Sequence, residues 1–139
     1  MFEIIAKLIE TRMQTGWNAS SASTVPIRWE NTPWKQPATM EWVALTVIPG
    51  DGRQESLGAS KLERQLGIVT VQVFTPKNTG KRRAMVLADI VGSVFRYTTV
   101  TDSGVNVIFR APELGQVGER KEQYQTNVVI PFIGEKIFS

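Results

Sequence analysis

Between Gly67 and Phe74 the apolar positions alternate, with Val69, Val71 and Val73 on one side and Thr70 and Gln72 on the other. In a run so dense in β-branched residues this pattern predicts a half-buried strand. Thr75-Pro76-Lys77-Asn78-Thr79-Gly80 then supplies turn residues and a candidate N-cap in Asn78 or Thr79, after which Ala84, Leu87, Ala88, Val91, Val94 and Phe95 recur at helical spacing. A helix from about Gly80 to Arg96 and the strand before it would each be roughly 25 Å long at the standard rises. The helix can therefore cover the valine face along its whole length.

The same reading extends to the rest of the chain. Phe2, Ile5, Leu8, Ile9 and Met13 place an apolar stripe on a first helix ending near Gly16, followed by a polar, small-residue linker from Asn18 to Thr24. Val25 to Asn31 reads as a short strand that Pro26 confines to an edge or a beginning. Pro33 and Pro37 stiffen a loop carrying Trp34, and Glu41 to Ile48 alternates as the next strand, stopping at Pro49-Gly50-Asp51-Gly52. The connection from Pro49 to Gln65 is long and charged, and is expected to be a flexible loop. Ser60 to Glu63 has capping-box spacing that would allow one helical turn, although a hairpin arm extending the flanking strands fits better. Val105 to Arg110 and Tyr124 to Phe132 alternate as later strands, separated by a glycine-punctuated stretch from Leu114 to Gly118. The fold class expected is α+β, one domain over residues 1–139: a mainly antiparallel sheet of about five strands with two helices on one face.

Composition narrows the chemistry more than the fold. The chain has no cysteine and no histidine, which removes disulfides, thiolate nucleophiles, the commonest general base and the commonest transition-metal ligand. No cofactor is expected. A net charge of +3 with 21% charged residues is mildly basic, compatible with an acidic partner but short of a dedicated nucleic-acid binder. Glu3, Lys7 and Glu10 interrupt the N-terminal apolar residues, so no signal peptide is expected and no run approaches spanning length. A soluble protein without membrane partners is anticipated.

Gly50-Asp51-Gly52 lacks the spacing of a phosphate loop and reads as turn chemistry. Asp51 and Glu55 could pair as acid and base, or hold a hard cation with Asp102, but solvated loop charges explain them better. Lys77, Lys81, Arg82 and Arg83 cluster at the start of the second helix, where each exposed cation opposes the macrodipole at a cost of about 0.3–1 kcal/mol. An acidic protein surface or a nucleic-acid phosphate would compensate; a salt-screened solvated end is the alternative. Of the four tryptophans, Trp29 and Trp42 fall in strands and are expected in the core, whereas Trp34 beside Lys35 is expected to be exposed.

Several stretches together resemble a known family. Val25 to Asn31, Trp42 with Leu45 to Asp51, Glu63-Arg64-Gln65 with Gly67 to Pro76, Phe109 to Pro112, and Tyr124-Gln125 running to Phe132 are similar to the tail-terminator-like proteins of long-tailed phages and prophages. The likeness covers about residues 1 to 133. It implies a small structural α+β subunit, not an enzyme, in the virion tail, assembled in the bacterial host cytoplasm. By the same resemblance it would form a ring with itself, a hexamer, on the head-proximal end of the tail tube. There it would contact tail tube protein and head-tail connector proteins and let DNA pass without specific binding. Trp34, Arg53, Glu55, Lys61, Arg64, Lys77, Lys81, Arg82 and Arg83 are the interface or bore candidates. The competing readings are a nucleic-acid-binding module using the basic cluster and, with less support in the residues, a hydrolase using scattered carboxylates.

Overall fold

A computed structural model describes residues 1–56, 58–120 and 123–138. The elements in chain order are α1 (Phe2–Asn18), β1 (Ile27–Arg28), β2 (Trp42–Gln54), β3 (Lys61–Pro76), α2 (Arg82–Phe95), β4 (Thr99–Asp102), β5 (Val105–Phe109), β6 (Glu113–Arg120) and β7 (Gln123–Phe138).

On α1 the buried residues are Ile5, Ile9, Met13 and Trp17, four apart, so one narrow stripe faces inward. The Trp17 indole N–H donates to the Val25 carbonyl at 2.9 Å. That bond, with buried Ala22 and Val25, ties the 19–25 linker to the core. The Arg12 Nε–H donates to the Val94 carbonyl at 2.7 Å, placing a cation at the C-terminal end of α2, where the helix dipole favours it. The two helices approach closely at Gly16, where a Cβ would lie 2.8 Å from Val94 Cγ1.

The strands form one seven-stranded sheet in the order β1-β2-β3-β7-β5-β4, with β6 also paired to β7. β3 and β7 pair antiparallel from Lys61↔Phe138 to Pro76↔Gln123 and form the spine. β5 and β6 lie one after the other along the far edge of β7, β5 against 132–136 and β6 against 123–129. The break between them falls at Arg110, Ala111 and Pro112, where proline removes a backbone donor.

The expectation of about five mainly antiparallel strands is therefore corrected. The sheet is mixed, because β1 runs parallel to β2 through Ile27↔Val43 and Arg28↔Ala44. It is also larger, because β4 and β6 are strands. β6 is hidden in the sequence by Gly115 and Gly118, the latter at φ 93 beside a register shift between Gln116 and Gly118. β4 is only four residues long. The 49–65 connection is a hairpin arm whose pairing continues to Gln54↔Glu63, with a register shift between Pro49 and Gly52.

The core is one cluster that joins both helices to a single face of the sheet. It contains Val43 and Leu45 of β2, Val69, Val71 and Val73 of β3, Val105, Val107 and Phe109 of β5, and Val128, Ile130 and Phe132 of β7. These alternate in sequence, as residues sharing one face of a pleated sheet must.

Candidate functional site

The sheet's other face carries no helix, and its register sorts it into rows running across the strands. The first row is Trp42–Phe74–Gln125, the next Ala44–Gln72–Asn127, then Thr46–Thr70–Val129. Beyond these come Ile48–Ile68–Pro131, Leu66–Ile133–Ile108, and a charged row of Arg53, Arg64 and Glu135. The face thus grades from aromatic and polar at one end to apolar and then ionic on the arm.

At the aromatic end Trp42 stacks on Phe74 with centroids 3.9 Å apart and an interplanar angle of 14°. Trp34 tilts against Trp42 at 5.0 Å. The Arg28 guanidinium lies 5.9 Å from the Trp34 ring and 6.0 Å from the Trp42 ring, at the outer limit of a favourable cation–π contact. Trp34 is consequently half-buried in this stack, not exposed as its proline-bounded loop suggests. Trp42 is buried as expected, but on the outer face. Its indole N–H has no acceptor among the described residues. An open cleft of about 610 Å³ beside the stack is lined by the 28–33 segment with Trp42, Ala44, Thr46, Gln72 and Phe74. Glu30 closes part of the sheet edge there, its carboxylate accepting the Val47 N–H at 2.7 Å.

The remaining candidates divide between the two ends. Arg53, Glu55, Lys61 and Arg64 all lie on the arm. Arg64 bonds Glu135 at 3.2 Å and approaches Glu55 at 3.9 Å, and the Lys61 ammonium donates to the Gly58 carbonyl. At the opposite end Lys77 lies in the turn after β3, while Lys81 is the N-cap of α2 with no side-chain capping bond. The predicted caps do other work: Asn78 adopts φ 66, and the Thr79 hydroxyl donates to the Pro76 carbonyl at 2.7 Å. Arg83 is compensated from within the chain, its guanidinium making two bonds to the Glu41 carboxylate at 2.9 and 3.2 Å. Arg82 is exposed.

Among the described residues no carboxylate pair poised for catalysis forms. Asp51 and Glu55 lie on or next to β2 and Asp102 on β4, with three strands between. Asp102 bonds Lys7 at 3.1 Å, and that contact, followed by one from Ser103, holds its carboxyl below the usual value of 3.8. Among the described residues no group of three or more acidic side chains could hold a metal ion, and no helix is long and apolar enough to cross a membrane.

Three comparisons bear on this geometry. The sequence profile of a family described as "Phage tail terminator protein" matches residues 4–132. A solved structure superposes with a TM-score of 0.75 over 100% of this chain and 96% of that one, at 20% sequence identity, a likeness of fold. No curated protein sequence matches.

Proposed function

The chain belongs to the phage tail terminator protein family, and from that membership we propose that it caps the head-proximal end of the tail tube as a ring of identical subunits. A structural role in a phage tail follows from the family; the ring, the end it caps and the surface it offers to the head are our reading. The observation that carries it is the extent of the profile match, residues 4–132, nearly the whole of the 139 residues.

The geometry supports a protein that works by contact. A ring closes when two different patches on each subunit meet head to tail, and this subunit has differentiated ends, an arm at one and a cationic helix start at the other. Copies of Lys81 and Arg82 around a rim or bore would present a repeated modest positive charge. DNA would pass it without being gripped, because tight phosphate binding slows movement. The Arg83–Glu41 pair argues against the nucleic-acid-module reading, since Arg83 is already paired within the chain.

The test is addition of the purified chain to polymerising tail tube protein. Tubes should stop short, with a ring of density at one end in electron micrographs. An unchanged distribution of tube lengths, with bare ends, would overturn the proposal.

A further inference from the structure

Among the described residues nothing covers the apolar band of the sheet's outer face. Ile48, Ile68 and Pro131 form one row, and Leu66, Ile133 and Ile108 form the next. Ile48 is 46% exposed and the other five are half-buried, while Val69, Ile130 and Val107 on the core face are at 0%. The 28–34 segment crosses only the Trp42, Ala44 and Thr46 rows. One row of threonines, Thr46 and Thr70, bounds the band on one side, and the row of Arg53, Arg64 and Glu135 bounds it on the other. An apolar centre within a polar rim is the anatomy of a protein–protein contact.

The ionic margin is incomplete in a way that specifies charge. Arg53 stands directly opposite Arg64 across β2 and β3, an arrangement that is unfavourable unless both cations are met. Glu135 and Glu55 serve Arg64, and Arg53 has no carboxylate among the described residues. On the helix layer the balance is reversed. Lys7 is taken by Asp102, which leaves Glu3 and Glu10 on the solvent side of α1 without a cation among the described residues. Phe2 beside them is 73% exposed.

We propose that this band seats a second copy of the chain, packed through the solvent side of its α1, with Arg53 meeting that copy's Glu3 or Glu10. The band on the sheet's outer face and the solvent side of α1 are two different patches, so the contact is head to tail and each copy can receive another. The proposal rests on the ring reading above and adds which surfaces make the ring.

Sedimentation of the chain with tail tube protein tests it. Wild type should form a closed oligomer, and Ile133→Lys should sediment as a folded monomer, its self-association weakened about 100-fold or more by a charge placed in the apolar centre. Ile48→Lys repeats the test at a more exposed position where folding is not at risk. Arg53→Glu should weaken assembly, and adding Glu3→Lys with Glu10→Lys to it should restore assembly. If both lysine variants still form rings, these surfaces are wrong although the ring stands. If they form rings but lose the tube, the occupant is tube protein and the proposal fails. If wild type stays monomeric with tube protein present, both this proposal and the ring reading fall.

Discussion

Gly67 marks the point where the arm leaves the body of the sheet, and its replacement by alanine gives a sharp test of how tightly that point is packed. A Cβ there would lie 2.6 and 2.8 Å from two ring carbons of Phe132 and 2.9 Å from the Ile48 carbonyl oxygen. Phe132 is the register partner of Gly67, is 2% exposed, and has Phe109 at 6.5 Å, so its ring has no free route out of the way. In an unconstrained strand the same change would stabilise by about 0.5–1 kcal/mol, through reduced backbone entropy in the unfolded chain. Overpacking typically costs about 1–3 kcal/mol, so the net expectation is destabilisation on the order of 1–2 kcal/mol. At about 2.1 cal/mol/K per residue the unfolding entropy of this chain is roughly 0.29 kcal/mol/K, and the Tm should fall by about 3–7 °C. Melts of wild type, Gly67→Ala, Phe132→Leu and the double variant form a cycle in which the smaller leucine relieves the clash by at least about 1 kcal/mol. A Tm raised by Gly67→Ala, or additive effects in the cycle, would refute the packing argument.

Other perturbations separate contacts that look alike in sequence. Trp42→Phe removes an indole N–H that has no acceptor among the described residues and should change stability in urea by less than about 1 kcal/mol, whereas Trp17→Phe breaks the bond to Val25 and should cost about 2 kcal/mol; equal costs would contradict both assignments. A double-mutant cycle on Arg83 and Glu41 should give a coupling of about 0.5–1 kcal/mol, the scale of a partly exposed bidentate pair, and no coupling would mean that the pair does not form in solution. The Asp102 carboxyl, depressed by Lys7 and then by Ser103, should titrate below an ordinary aspartate in an NMR pH series and return upward in Lys7→Met. Its contribution to stability is present above about pH 4 and lost as pH falls through the depressed value, and because both partners are exposed, salt should screen it.

The sequence predicted most accurately those elements that one face of the core dictates. Val69, Val71 and Val73 and the 84–95 stripe were readable because burial on one side imposes periods of two and 3.6 on the residue types. The arm was legible only as a preference, since its solvent-facing charges carry no period that separates a strand from a loop. β6 and β4 were missed for opposite reasons, glycines suppressing the propensity of one and brevity hiding the other. Arg83's partner could not be foreseen, because Glu41 lies 42 positions away and only the fold brings them together. Trp34 failed as an exposed anchor because Trp42 turns outward: in the alternation of Trp42 with Val43 and Leu45, the larger residue sits on the face that periodicity labels as solvent. The outer apolar band was present in the letters as Ile48, Leu66, Ile68 and Ile133. It becomes a surface only once the register places them side by side.

The claim that the chain is a building block ending tail-tube growth is tested most directly by tail length. Tails assembled from a genome lacking this gene, viewed by negative-stain electron microscopy, should be overlong and fail to join heads, and supplying the wild-type chain should restore a single length. Tails of normal length joined to heads in its absence would contradict it.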